Sequence, residues 1–196
     1  MQKITFLVLI MAMATLANAQ PAFQRKDLFI SAALSLGNYR TFSYHASERY
    51  GNTVPLSLTA EYGLSNKFSV GPFGGYYSRK YKYIGPISED IGDDFTYKSH
   101  YTVVGLRGTY HFTTALEDKL RADLTSEDLD LYISALAGYE INSLSGTNGM
   151  SMADKSTPVI GLVAGVRYFI NYRIALFGEV GPGILGIGSF GVTARF

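Results

Sequence analysis

Eight stretches of about ten residues alternate in polarity so consistently that every mid-stretch charge falls opposite the aliphatic side chains. They lie at 27–37, 54–64, 67–79, 100–112, 129–141, 158–170, 173–182 and 187–196. In 100–112, Val104, Leu106, Tyr110 and Phe112 share one face, and Val103, Arg107, Thr109 and His111 the other. Ile160, Leu162, Val166 and Tyr168 oppose Arg167 and Phe169, while Ile174, Leu176 and Val180 oppose Ala175, Phe177 and Glu179. The same parity sets Leu56, Leu58 and Tyr62 against Ser57, Thr59 and Glu61, and Leu131, Ile133 and Tyr139 against Tyr132, Ser134 and Glu140. A period of two is the mark of a strand, and ten residues is the length of a tilted strand that crosses a membrane. An arginine turned toward lipid near the midplane costs about 2–4 kcal/mol. The greasy face therefore looks outward, and charges and small residues look in. A soluble barrel of the lipocalin type inverts that pattern.

The connections alternate as well. Polar 38–53 is followed by the tight turn Leu64-Ser65-Asn66-Lys67, and long 80–99 carries Gly85-Pro86 and the acidic run Ser88 to Asp94. A polar connection at 142–157 contains Asn148-Gly149, and Asn171-Tyr172-Arg173 is again tight. Short turns on one side and long loops on the other are the habit of outer-membrane barrels. Two connections depart from it: 113–128 is long and holds a pattern fit for one or two helical turns, and the loop at Gly181-Pro182-Gly183 is short. Outward aromatics cluster by depth, with Tyr62, Phe68, Tyr110, Phe112, Tyr168 and Phe196 beside the tight turns and Tyr76 and Tyr139 near the far ends. Two aromatic girdles bound the lipid-facing band of such a barrel. The expected fold is all-β: an eight-stranded antiparallel up-and-down transmembrane β-barrel.

Residues 1–19 read as a signal peptide for export, with Lys3, the apolar run Ile4 to Leu16 and the small-x-small site Ala17-Asn18-Ala19. Residues 20–196 then form one barrel domain. Removing Lys3 with the signal leaves 16 basic residues against 16 acidic (17 − 1 and 16 − 0). A neutral chain is a poor binder of nucleic acid. With no cysteine there is neither a lipid-modified N-terminus nor a disulfide.

Four stretches carry a family likeness: Gly105 to Phe112, Leu131 to Glu140, Phe177 to Gly183, and the closing Val192-Thr193-Ala194-Arg195-Phe196. Over 27–196 the chain resembles the small eight-stranded outer-membrane β-barrel family typified by the transmembrane domain of outer membrane protein A. More narrowly, it looks like the outer-membrane β-barrel domain proteins common in Bacteroidetes. The resemblance implies a Gram-negative outer membrane and contact with its lipid. It also implies a last strand, through Phe190, Val192, Ala194 and Phe196, that the barrel-assembly machinery reads. The peptidoglycan-binding domain that often follows such barrels is not expected. Roles in surface attachment or envelope integrity vary among members.

The candidate site is the lumen. Glu61, Arg107, Glu140, Arg167, Glu179 and Arg195 come from different stretches and all point inward. An eight-stranded interior is just wide enough to be filled by side chains, and an unpaired buried charge is costly. At least one pair is therefore expected among Arg107, Arg167, Glu61 and Glu179, with Glu140 nearer the loop side. The set reads as a structural plug, with a narrow ion or small-solute path as the alternative. Outer connections carry Tyr39, Phe42, Tyr44, His45 and Tyr50, then Tyr81, Tyr83 and Tyr97. Aromatics among polar neighbours suit an extracellular surface ligand or a cap on the girdle. Glu89 to Asp94 could in principle hold Ca²⁺ but match no defined loop motif, so neither metal nor cofactor is expected. His45, His100 and His111 are the histidines, and no serine stands beside one in a nucleophile motif. A lipid-modifying enzyme is the remaining, less favoured reading.

Overall fold

The computed structural model describes residues 22–36, 47–83, 96–113, 128–146, 151–183 and 185–196. The export signal, the acidic run Glu89 to Asp94 and the helical turns expected within 113–128 lie outside the described residues, as do Tyr39, Phe42, Tyr44 and His45.

Alternating sequence produces strands: β1 Leu28–Leu36, β2 Ser47–Asn52, β3 Leu56–Gly63, β4 Phe68–Tyr83, β5 Thr96–His111, β6 Leu129–Gly146, β7 Ser151–Phe169, β8 Ile174–Val180 and β9 Gly188–Arg195. All pairings are antiparallel. The ladder runs β3-β1-β9-β8-β7-β6-β5, and β4 closes the ring by pairing with both β3 and β5. Strand β2 pairs only with β4, above the level where β3 leaves it (Leu56↔Tyr76, then Asn52↔Arg79). It is the upward continuation of β3, broken at Thr53–Pro55 where proline has no N–H to donate. Nine strands thus make eight staves, and the sheet has no edge within the ring.

The tight turns form as expected. Ser65 Oγ accepts the amides of Lys67 and Phe68, and Asn171 Oδ1 those of Arg173 and Ile174, so short polar side chains satisfy the reversing backbone. At the other end the staves run further than the sequence suggests. Strands β4, β5, β6 and β7 have 16, 16, 18 and 19 residues, so parts of 38–53, 80–99 and 142–157 are ladder rather than loop. Pairs such as Tyr81↔Tyr97 and Lys98↔Ser145 continue the register. Above a membrane both sheet faces meet polar surroundings, so the apolar alternation fades while hydrogen bonding goes on.

Sidedness follows parity throughout. Ile160 is 85 % exposed and Leu106 62 %, while Arg107, Arg167 and Glu61 are at most 5 % exposed. Leu58, Leu162, Leu176, Val180 and Val192 stand on the outside with them. The core is the buried polar groups together with two apolar clusters, one around Phe29 and one around Val103.

Candidate functional site

The lumen is stacked in layers from the tight-turn end to the loop end. The first layer is a cork. Before β1 the chain folds under the barrel, held by Lys26 N–H on the Gly63 carbonyl, Gly63 N–H on the Asp27 carbonyl and Arg25 N–H on Asn66 Oδ1. That turns Phe23 up into the mouth among Ala22, Phe29, Phe169 and Ala175. Its ring stacks on His111 with centroids 3.5 Å apart and 8° between planes. Arg195 closes the rim, donating from Nε to the Tyr172 carbonyl and lying over the Phe169 ring. Beside it, burial pushes the Asp27 carboxyl above its ordinary range, and the Gln24 amide and Arg195 draw it back.

Above the cork lies the charge cluster. Strand β6 brings Asp130, β7 Arg167, β5 Arg107 and His111, β3 Glu61 and β8 Glu179. Arg167 Nη1 donates to Asp130 Oδ2 at 2.9 Å, and its Nη2 lies 3.5 Å from Glu61 Oε1. Arg107 Nε stands 3.6 Å from Glu61 Oε2, and its Nη2 donates to Glu179 Oε1 and to Ser134 Oγ. Glu61 therefore bridges two guanidinium groups and accepts from Thr109 and Ser69 as well. Each carboxylate has several donors, which is the condition for burying charge at a tolerable cost. Arg167 Nε has no hydrogen-bond partner, but the cation sits between the rings of Phe29 (4.4 Å) and Tyr132 (4.9 Å), which attract it through their π faces. Tyr132 in turn donates its hydroxyl to Glu179 at 3.0 Å. Its ring lies flat over Gly165, its cross-strand neighbour, where any Cβ would run into it. The glycine is the space that the tyrosine occupies.

The third layer is a cavity of about 50 Å³, with Ser57, Thr59 and Ser189 on one side and Arg107 and Glu179 below. Such a volume has room for about three waters. Its roof is Leu185. The connection after β8 dips back into the barrel, with Gly181 at φ 138°, and packs Leu185 on Phe73, Val103 and Val159. Gly75 leaves room for that side chain. Higher still, Tyr77 and Tyr101 stack at 4.4 Å with Arg79 over both rings, and Tyr77 donates to Glu140 at 3.4 Å.

One local arrangement looks like chemistry. Ser69 Oγ lies 3.0 Å from His111 Nε2, and His111 Nδ1 lies 2.8 Å from Asp130 Oδ1, the order of a serine nucleophile, base and orienting acid. Ser69, however, points its hydroxyl at the Glu61 carboxylate, and Phe23 covers the imidazole. All three residues are buried, and the cavity above them does not reach Ser69. Acyl transfer needs space for a substrate and donors for its oxyanion. What stands here is a chain of hydrogen bonds in a packed wall.

Of the residues singled out from sequence, the structure brings Glu61, Arg107, Arg167 and Glu179 into one cluster and leaves Arg195 in the rim. Glu140 stands apart in the upper layer. Phe190, Val192 and Phe196 face outward, while Ala194 pairs with Ile30 and Ile174. Sequence reading missed Asp130, Arg79 and Ser69 as lumen groups. It also missed both inserted side chains, Phe23 and Leu185, and took 181–183 for a short outer loop.

The chain is a barrel turned inside out.

No family model matches the chain, and no curated protein does. Among solved structures it is similar to the N-terminal β-barrel domain of Pseudomonas aeruginosa OprF, at 14 % identity and TM-score 0.42 over 88 % of this chain and 99 % of that one. It is also similar to Ail, the attachment invasion locus protein of Yersinia pestis, at 16 % identity and TM-score 0.43 over 89 % and 99 %. The outer membrane protein OprG of P. aeruginosa aligns at 14 % identity and TM-score 0.40 over 89 % and 97 %. The eight-stave closure rests on the strand register of this chain itself.

Proposed function

We propose that this chain is a non-enzymatic β-barrel of a Gram-negative outer membrane, exported with removal of residues 1–19 and assembled through its last strand by the barrel-assembly machinery. It acts as a sealed structural element of the envelope that holds loops out to a surface partner. The supporting observation is the cross-lumen cluster Glu61–Arg107–Glu179 and Glu61–Arg167–Asp130, closed below by Phe23 and above by Leu185. A path for ions would have to break several charge-assisted hydrogen bonds at once. Tight turns then lie on the periplasmic side, and the long staves point outward.

Planar-bilayer recording tests the seal. The refolded chain is expected to give no steady conductance steps, and Arg107→Ala to give none either, since Arg167 and Phe23 still close the path. Steady conductance that shifts with Arg107→Ala would establish the narrow-pore reading instead. Adhesion of cells displaying the chain tests the surface role. Trimming 40–46 and 84–95, which spares β2, β4 and β5, is expected to lower adhesion several-fold while leaving heat-modifiable gel mobility intact. Unchanged adhesion would leave a purely structural role.

A further inference from the structure

On the outward face, beyond the lipid-facing band, two lysines stand directly opposite each other. Lys80 of β4 pairs with Lys98 of β5 in register, and parity turns both away from the lumen. Like charges at directly opposed positions repel, so a bare pair is an unfavourable choice for a sheet. Among the described residues no carboxylate pairs with either one. Their neighbours on β5 and β6 are hydrogen-bonding groups, and on the other flank β2 sets Gly51 opposite Lys80 and Glu48 opposite Lys82. Ser145 of β6 is the register partner of Lys98 and donates its hydroxyl to the Lys98 carbonyl at 3.4 Å. His100 lies one outward position below Lys98 and shares a 2.7 Å hydrogen bond between Nδ1 and the Tyr76 hydroxyl.

The height of the pair decides what anion it meets. Tyr76 belongs to the outer aromatic girdle, four residues along β4 from Lys80. Four residues are about 13 Å of strand, or about 10 Å of height at the usual barrel tilt. A ring at the girdle sits at headgroup level, and a lysine ammonium on a flexible stem can reach back toward it. Directly below the pair, the same face continues into Val104, Leu106, Tyr139 and Ile141, all exposed. An acyl chain lying on that band brings its headgroup to the two ammonium groups.

We propose that Lys80 and Lys98, flanked by His100 and Ser145 above the Tyr76 girdle, form a binding site for the anionic phosphate of an outer-leaflet lipid. The site rests on the membrane reading above, and lipid is its occupant because the apolar face and the cationic pair are continuous on one side of the sheet. The anion converts a repulsive lysine pair into a clamp.

Native mass spectrometry tests this on the full chain refolded into phosphatidylcholine vesicles doped with phosphatidic acid and then released in detergent. The wild type is expected to retain phosphatidic acid over phosphatidylcholine, and Lys80→Gln/Lys98→Gln to bind it roughly thirtyfold more weakly. Each lysine beside an anionic lipid surface is worth about a factor of five. Lys80→Arg/Lys98→Arg keeps the charge and is expected to keep the lipid. Retention by the glutamine variant equal to wild type overturns the site. Displacement of the lipid by inorganic phosphate at matched concentration also overturns it, because the site would then serve a free anion. A chain that inserts, shown by heat-modifiable mobility, yet keeps no phosphatidic acid overturns the site alone. One that never inserts overturns the membrane reading and the site with it.

Discussion

Arg167→Leu is expected to lower stability in lipid by about 3–5 kcal/mol, the usual cost of removing one partner from a buried ion pair. The loss comes from what stays behind. Asp130 keeps His111 but loses its 2.9 Å guanidinium contact, and Glu61 keeps Arg107 at 3.6 Å as its remaining cation. Urea titration of the chain folded into vesicles, followed by gel mobility without boiling, measures the shift. The double variant Arg167→Leu/Asp130→Leu separates desolvated charge from lost packing. With the orphaned carboxylate gone, at least half of the lost stability is expected to return, since buried ion pairs replaced whole by apolar groups are often neutral. A double variant as unstable as the single one would mean that Arg167 matters through its contacts with Phe29 and Tyr132 rather than through charge.

Phe23→Ala is expected to cost a similar amount, about 3–5 kcal/mol, as for other buried phenylalanines cut to alanine. Phe23 is 7 % exposed, and its ring covers His111 and touches Phe29. Removing it opens the tight-turn mouth to water as far as Asp130, without opening the lumen, because Arg167 and Glu61 lie across the next layer. Denaturant midpoint and bilayer conductance together check this: a lower midpoint with a silent bilayer is the expected pair of results. A midpoint equal to wild type would show that the segment before β1 hangs free of the barrel in a membrane.

Both residues show how far the sequence can be read. Arg167 is legible because lipid outside and charge inside impose strict alternation through Ile160, Leu162, Val166 and Tyr168. Any residue with an aliphatic neighbour on each side inherits a face. Asp130 has the parity of Tyr132 and Ser134, but it lies at the base of its stave beside the polar 113–128 connection, where the alternation has barely begun. Arg79 suffers the same at the other end, between Ser78 and Lys80, with no aliphatic to mark the outside. Phe23 and Leu185 belong to no periodic stretch, so nothing local says that they turn inward. The Ser69–His111 contact needs the register of β4 on β5, a property of the closed ring and not of either segment. Parity gives faces, and closure gives neighbours.

The unequal staves have a last consequence. Strand β8 stops at Val180 opposite Ala164, so β7 rises beyond it with one flank lacking a ladder partner among the described residues, save for Leu162 N–H on the Pro182 carbonyl. Alternation makes the even-numbered amides, those of 158, 160 and 162, the ones that look that way. A bare flank of this kind invites a passing strand from a neighbouring chain to zip on. Position 158 is proline and has no hydrogen to offer. Any strand arriving there from a crowded bilayer would find one rung of its ladder missing at Pro158.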